Sequence, residues 1–222
     1  MGCVTLLSMS ARLAAITSAL VCTATTLAVA PAATAEPCSD IKVVFARGTD
    51  DTPGLGRVGD AFSSTLSGLV GGRSLTTYAI NYPASYDFLA AADGATDATN
   101  YISALTQQCP STRIVLGGYS QGAAVVDMLA GIPPLGNKIG EIGSAPPLPG
   151  SLVPYIAAVA VFGNPSTKFS IPVTSSVFGG KAIDLCKDGD PICSRGRNPF
   201  AHSDYVTAGL ANQAASFVAG LV

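Results

Sequence analysis

The chain has 222 residues, with 12 Lys and Arg against 14 Asp and Glu and a formal net charge of −2. The basic residues are scattered, which argues against a nucleic-acid partner. Apolar residues make up 48% of the chain, enough to build a full hydrophobic core. The composition therefore favours a globular protein that does not bind nucleic acid.

The first 35 residues differ from the rest of the chain. Arg12 is the only charge before a weakly apolar stretch, LAAITSALVCTATTLAVA, and the segment ends on the tripeptide ATA. This order is typical of a secretory signal peptide with a small-x-small cleavage site. An uncleaved membrane anchor fits less well because Thr and Ser interrupt the stretch. We expect a signal peptide over 1–35, one domain over 36–222, and a monomeric protein that is secreted or cell-wall associated and has no membrane span.

Four cysteines follow the expected cleavage site: Cys38, Cys109, Cys186 and Cys193. An even number in an exported chain predicts two disulfides, for which three pairings exist. Because Cys186 and Cys193 enclose only a short turn, we expect Cys186 to pair with Cys193 and Cys38 with Cys109. A zinc site is the alternative, but the chain has no C-x-x-C and a single histidine. We expect no metal and no cofactor.

The rest of the chain alternates strand-like and helix-like patterns. Apolar, β-branched runs predict strands over 41–46, 74–80, 112–118, 156–163 and 181–186. Helical patterns cover about 58–70, 88–108, 121–131 and 203–220. This alternation predicts an α/β fold of the α/β-hydrolase type, a three-layer sandwich around a mainly parallel five-stranded sheet. We expect the stretches rich in turn residues, 131–154 and 165–180, to be ordered loops.

A serine lies between two glycines in the sequence LGGYSQGAA, residues 116–124. The five-residue pattern G-x-S-x-G alone is weak evidence in a chain with 24 glycines. Its context is stronger, since a predicted strand leads into Ser120 and a predicted helix follows. A nucleophile elbow requires this order and small residues two positions before and after, here Gly118 and Gly122. Ser120 is therefore the candidate nucleophile.

A nucleophilic serine needs a base and an orienting acid. His202 is the only histidine, so it is the only histidine base available. The turn CKDGDPIC offers Asp190 and Asp188, and Asp184 lies just before it. A short crosslinked loop is a rigid platform for a carboxylate, although D-G-D-P is also a good turn sequence. We choose Asp190 and keep Asp188 in reserve; the order Ser, Asp, His is that of α/β-hydrolases.

An oxyanion hole requires donors that already point at the developing charge. The residue after the nucleophile, Gln121, offers its backbone N–H. A second donor is expected from the loop after the first strand, where Thr49 has both a backbone N–H and a hydroxyl. Taken alone, the sequence R-G-T indicates only a turn.

Four motifs follow one another along the chain and span nearly all of the domain: CSDIKVVFARGT, GGYSQG, CKDGDPIC and AHSDY. In these motifs and their order the chain resembles the cutinases, particularly the actinobacterial, mycobacterial-type cutinase-like proteins. The resemblance implies Ser120 as nucleophile, Asp190 as acid, His202 as base, and Thr49 with Gln121 as oxyanion donors. It implies the same two disulfides. Fungal cutinases often have Ser where this chain has Thr49, so the hydroxyl is retained.

The sequence thus predicts an exported serine esterase that forms an acyl-enzyme at Ser120. The resemblance implies short- to medium-chain esters, among them lipids or polyesters. For the acyl-site wall we name the apolar loop residues Ile171, Val173, Val177 and Phe178, although apolar loop residues more often belong to a satellite core. The alternatives are a lipase or phospholipase acting on long chains, an acyltransferase, and a weakly catalytic cell-surface binding protein.

Overall fold

The computed structural model describes residues 37–136 and 142–222. The predicted signal peptide lies outside these residues. The strands are β1 (Ile41–Ala46), β2 (Leu75–Ala79), β3 (Arg113–Tyr119), β4 (Ile156–Phe162) and β5 (Ala182–Leu185), and the α-helices are α1 (Gly56–Leu69), α2 (Ala91–Gln108), α3 (Gln121–Leu129) and α4 (Leu210–Ala219). Every predicted strand is present, with its bounds within about one residue of the expected ones.

The five strands form one sheet in the order β2-β1-β3-β4-β5, and every neighbouring pair is parallel. Parallel neighbours need crossover connections, and the helices between the strands supply them. The carboxyl ends of the strands therefore lie at one edge of the sheet, where ligand sites of such folds form. The predicted α/β architecture with a five-stranded parallel sheet is confirmed.

Alternating side chains of the strands build a core on each face of the sheet. On one face, Val44, Leu116 and Val161 belong to the core that includes α2 and α3. On the other face, Phe45 and Phe162 belong to the core that includes α1 and α4. The helices thus form two layers around a buried sheet, which explains why the strands are apolar on both faces.

The last helix begins later than the sequence pattern predicts. Residues Pro199–Ser203 form a separate 3₁₀ turn, and α4 begins only at Leu210. Gly209, immediately before it, has a left-handed φ of 76° that interrupts the helical backbone. His202 therefore lies on an independent turn whose orientation α4 does not fix.

The structure contains two disulfides. Cys38–Cys109 joins the segment before β1 to the residue after α2, with a Cα–Cα distance of 5.6 Å. Cys186–Cys193 closes the turn after β5, with a Cα–Cα distance of 5.7 Å. The first therefore lies near the amino ends of the strands and the second near their carboxyl ends. In the part of the chain that the structure describes, no helix is long and apolar enough to cross a bilayer.

Candidate active site

Ser120 lies in a sharp turn between β3 and α3. Its backbone has φ 56° and ψ −115°, a conformation that residues other than glycine rarely adopt. Its N–H donates to the carbonyl of Phe162 at 2.8 Å, and its own carbonyl accepts from the N–H of Ala123 at 2.9 Å. These backbone hydrogen bonds tie the strained residue to β4 and to the first turn of α3.

The two glycines around Ser120 allow close backbone approaches. A Cβ atom on Gly122 would lie 2.0 Å from the carbonyl oxygen of Ala46, at the end of β1. A Cβ atom on Gly118 would lie 2.2 Å from the carbonyl oxygen of Gly122. Since the obstructing atoms are backbone, no side-chain movement could relieve either clash. Both positions therefore require glycine, and the turn is held directly against β1.

His202 connects Ser120 to a buried carboxylate. Its Nε2 lies 2.8 Å from the Oγ of Ser120, and its Nδ1 lies 2.8 Å from the Oδ2 of Asp190. An ionised carboxylate can only accept, so the proton is assigned to Nδ1 and Nε2 is left to accept from the serine. The ring stacks on Tyr119 with centroids 5.1 Å apart, and the Tyr119 hydroxyl donates to the His202 carbonyl. The imidazole is thus held from both ring nitrogens and from one face.

Asp190 has no exposed surface and lies in the turn closed by Cys186–Cys193. Its Oδ2 also accepts from the Tyr205 hydroxyl at 2.6 Å, and its Oδ1 accepts from the Ile192 N–H at 2.7 Å. Burial raises the pKa of this carboxyl, but the hydrogen bonds from His202, Tyr205 and Ile192 outweigh it and lower the pKa below its ordinary value. Asp190 is therefore ionised at neutral pH.

The other two aspartates considered from the sequence do not reach His202. Asp188 is exposed on the same turn. Asp184 accepts from the side chains of Asn164 and Thr167 and from the Val173 N–H, each at 2.9 Å. Of the three candidates, only Asp190 contacts the histidine.

Thr49 and Gln121 lie together beside Ser120. The Thr49 hydroxyl donates to the Gln121 Oε1 at 3.2 Å, and both residues line the same cavity as Ser120. As the first residue of α3, Gln121 has a backbone N–H without an intrahelical acceptor. The side-chain Nε2 of Gln121 is buried and has no hydrogen-bond partner among the described residues. The Gln121 N–H is thus available as a donor beside Ser120, whereas the Thr49 hydroxyl has to turn away from the Gln121 Oε1 to donate to a substrate oxygen.

A cavity of about 570 Å³ opens over these residues. Its described wall carries aromatic, aliphatic and proline side chains: Val58, Tyr86, Phe88, Leu135, Ile142, Pro165 and Ile192. Asp51, Arg57 and Ser203 contribute polar groups to the same wall. The cavity can therefore hold an ester that has both an apolar and a polar portion.

The prediction that four apolar loop residues form the wall of the acyl site is wrong. Val173 and Phe178 have no exposed surface and belong to the core beneath the sheet face that carries α3. Ile171 packs against that core, whereas Val177 is 66% exposed. None of the four belongs to the described cavity wall. Apolar content in a loop did not reveal the direction of its side chains.

Tyr205 and Arg57 are two further residues near the triad that the sequence did not reveal. Tyr205 is fully buried beneath Asp190, and its hydroxyl accepts from the Lys187 N–H at 3.1 Å. Arg57 lines the cavity, and its Nη2 donates to the Ser203 carbonyl. The only signal for Tyr205 was its place in the motif AHSDY, and nothing in the local sequence marked Arg57.

A second cluster of buried acids lies outside the cavity. Asp127 has no exposed surface, and the Nδ2 of Asn164 donates both to its Oδ1 at 3.0 Å and to the Oδ2 of Asp184 at 2.9 Å. Burial raises the pKa of both carboxyls. Across the described ranges 37–136 and 142–222, no three His, Cys, Asp or Glu side chains are grouped so that they could hold a metal ion.

Comparisons with known proteins show the family of the chain. The Cutinase family model matches residues 37–222. The chain belongs to the cutinase family. It is 49% identical over 216 residues to phospholipase Culp4 of Mycobacterium tuberculosis, covering 95% of this chain and 92% of that protein. Carboxylesterase Culp1 of the same species is 46% identical over 211 residues, covering 88% of this chain and 90% of that one.

Among solved structures, the chain resembles a cutinase of Trichoderma reesei in complex with a C11Y4 phosphonate inhibitor. The TM-score is 0.65 and the identity is 35%, over 83% of this chain and 77% of that one. With carboxylesterases and a cutinase as its relatives, this member of the cutinase family is a serine ester hydrolase of the α/β-hydrolase fold.

Proposed function

We propose that Ser120, His202 and Asp190 are the catalytic triad of this cutinase-family esterase, and that Thr49 and Gln121 supply its oxyanion hole. The observation that carries the proposal is the continuous hydrogen-bonded chain from the Ser120 Oγ through the imidazole to Asp190. Ser120 and His202 line the cavity, so an ester bound there can meet the nucleophile and the base together.

The reaction follows from the positions of these groups. His202 Nε2 takes the hydroxyl proton as Ser120 Oγ attacks the ester carbonyl, and Asp190 stabilises the resulting imidazolium. The Gln121 N–H and the Thr49 donors stabilise the tetrahedral oxyanion. His202 then protonates the leaving alcohol. Water attacks the acyl-enzyme with the same histidine as base, which regenerates Ser120.

The acyl group of the substrate is proposed to bind against apolar residues of the cavity wall such as Phe88, Leu135 and Ile142. A cavity of about 570 Å³ lies within the size range of small-molecule sites and has room for a short or medium acyl chain. The substrates proposed are short- to medium-chain carboxylic esters, as the resemblance to cutinases implies.

The domain assignment and location remain part of the proposal. Residues 1–35 are proposed to be a cleaved signal peptide, and residues 36–222 a monomeric domain that is secreted or retained in the cell wall. The two disulfides support this location because disulfides persist in oxidising compartments.

The test is a rate series on p-nitrophenyl esters of increasing acyl length, with the disulfides intact. Ser120→Ala is the control for non-enzymatic hydrolysis. We expect a Ser120-dependent rate that is greatest for short or medium chains. No Ser120-dependent rate at any chain length would contradict the proposal and favour a weakly catalytic surface-binding protein. Labelling by a serine-directed phosphonate checks that result independently.

A second candidate is a lipase or phospholipase acting on long-chain lipid esters. It is favoured by the 49% identity to a protein named phospholipase Culp4. Tyr86, Phe88 and Ile192 also line the cavity while remaining 75%, 39% and 37% exposed, as a surface that meets aggregated lipid requires. A rate that is greatest only on long, aggregated esters would select this candidate.

A further inference from the structure

Arg57 is the only Lys or Arg in the described wall of the catalytic cavity. Its side chain is exposed, and one hydrogen bond is formed by its guanidinium, from Nη2 to the Ser203 carbonyl. In the described ranges, no carboxylate lies within ion-pair distance of it. A guanidinium has five N–H donors, so Arg57 keeps donors, and a charge not engaged in a contact ion pair, available to a ligand in the cavity.

The position of Arg57 does not stabilise the helix that carries it. Arg57 is the second residue of α1, whose first turn contains no acidic residue. A cation there opposes the positive end of the helix macrodipole. Asp51, the acidic residue in the same wall, accepts from the Gly48 N–H through its Oδ2 at 3.1 Å. Burial raises the pKa of the Asp51 carboxyl, and the charge of Arg57 partly offsets that rise without forming an ion pair. The positive charge of Arg57 therefore acts on groups in the cavity wall.

The triad geometry indicates which part of the ester meets Arg57. His202 must protonate the leaving alcohol, so that alcohol departs on the His202 side of Ser120. Arg57 is hydrogen-bonded to the carbonyl of Ser203, the residue next to His202. This contact places Arg57 beside the turn that carries His202, and therefore near the departing alcohol.

We propose that Arg57 forms an anion subsite that selects esters whose alcohol carries a phosphate group, as in glycerophospholipids. This inference rests on the proposed triad. A planar guanidinium fork suits phosphate oxygens, which it can bind through two parallel hydrogen bonds. The reaction itself is unchanged: the ester C–O bond breaks, the Ser120 Oγ–acyl bond forms, and the phosphorylated alcohol leaves with the proton from His202.

The test compares two soluble esters with the same acyl group, 4-(phosphonooxy)phenyl butyrate and 4-methoxyphenyl butyrate. The measured quantity is the kcat/KM of the phosphorylated ester divided by that of the methoxy ester, obtained by pH-stat titration at low ionic strength. We expect Arg57→Gln to lower this ratio about tenfold, the usual effect of losing a hydrogen bond to a charged group. Arg57→Lys should lower it less, since the charge remains but the fork is lost. Added salt should lower the wild-type ratio.

Two further variants sharpen the comparison. Arg113→Gln is the matched control, since Arg113 also donates from Nη2 to a backbone carbonyl, that of Leu221, but lies outside the cavity wall. It should leave the ratio unchanged. Asp51→Asn can keep an acceptor for the Gly48 N–H and removes a negative charge from the cavity wall, so it should raise the ratio.

An unchanged ratio in Arg57→Gln would overturn the proposed subsite. This holds also if both kcat/KM values fall by the same factor, because an equal fall would mean that Arg57 only positions the His202 turn. A lack of Ser120-dependent hydrolysis of the neutral ester by the wild type would instead overturn the proposed triad. Monomeric dihexanoylphosphatidylglycerol and dihexanoylglycerol form a second pair. If Arg57→Gln lowers the ratio of this lipid pair as much as that of the aryl pair, the phosphate recognised belongs to a lipid headgroup. If only the ratio of the aryl pair falls, it belongs to a soluble alcohol.

Discussion

Two aspartates, Asp190 and Asp127, are both completely buried, yet their pKa values shift in opposite directions. Both oxygens of Asp190 accept hydrogen bonds, from His202, Tyr205 and the Ile192 backbone. Asp127 accepts from Asn164 through Oδ1, whereas its Oδ2 has no partner among the described residues. Burial and the nearby Asp184 carboxyl raise the pKa of Asp127, whereas the donors around Asp190 outweigh its burial. The neighbouring donors and charges, rather than burial alone, therefore decide whether a carboxyl keeps its charge.

Removing the charge of Asp190 should have the largest effect on activity. Asp190→Asn keeps the shape of the side chain but no longer stabilises the imidazolium, so kcat should fall about 10⁴-fold. Asp188→Asn, in the exposed part of the same turn, is the matched control and should remain as active as the wild type. Rates on p-nitrophenyl butyrate measure both. An Asp190→Asn variant within tenfold of the wild type would show that the proposed acid is misassigned.

Opening the turn around Asp190 should have the next largest effect. The paired change Cys186→Ser with Cys193→Ser releases the turn, and misplacing a triad group by an ångström lowers kcat about 100-fold. Unfolding free energy should fall by about 2.5 kcal/mol, the chain-entropy value for so short a loop. The Cys38–Cys109 disulfide closes no loop at the site, so its removal by the same kind of double substitution is the comparison. Removing Cys38–Cys109 should reduce the free energy of unfolding more, and kcat less, than removing Cys186–Cys193. Urea unfolding and hydrolysis rates at 25 °C measure the two effects.

Tyr205→Phe removes one donor from Asp190 without changing the shape of the core. We expect kcat to fall about tenfold, the usual effect of losing a hydrogen bond to a charged group, with little change in KM. The variant should also alter the pH dependence of stability. The lowered pKa of the Asp190 carboxyl stabilises the fold at pH values above 3.8, the ordinary pKa of this group. That contribution is lost as the pH falls through the folded-state pKa. Loss of the Tyr205 donor raises this pKa, so the stability lost between pH 7 and pH 3 should be smaller in the variant.

Asp127→Asn should have the smallest effect on catalysis and the opposite effect on stability. A raised carboxyl pKa costs stability as the pH rises from 3.8 towards the folded-state pKa. Asparagine imitates the protonated acid, so the variant should be more stable than the wild type at pH 7 and equal to it below pH 3.8. Urea unfolding at both pH values tests this. Equal stabilities at pH 7 would mean that donors not seen for Asp127 keep its charge as well.

Features fixed by periodicity and backbone sterics were predictable from the sequence. The strands follow from β-branched runs buried on both faces, and the turn at Ser120 follows from the two glycines that permit contact with β1. His202 could be chosen because it is the only histidine. Each of these inferences depends on residues near one another in the chain or on a unique residue type.

Features fixed by the direction of loop side chains were not predictable. Val173 and Phe178 lie in an apolar loop, but they fill the core instead of the cavity. Arg57 lies on a helix, and its place beside His202 depends on how α1 meets a turn that is 146 residues later in sequence. No periodic pattern encodes such a contact, since it arises only when the elements are assembled.

The backbone of Ser120 links the reaction to the stability of the whole chain. A non-glycine residue with φ 56° and ψ −115° costs of order 1–3 kcal/mol, which the surrounding contacts must offset. Glycine would adopt this conformation with little strain. The protein therefore gives up folding free energy at the residue that forms the acyl-enzyme, and selection for thermostability alone would favour losing the nucleophile.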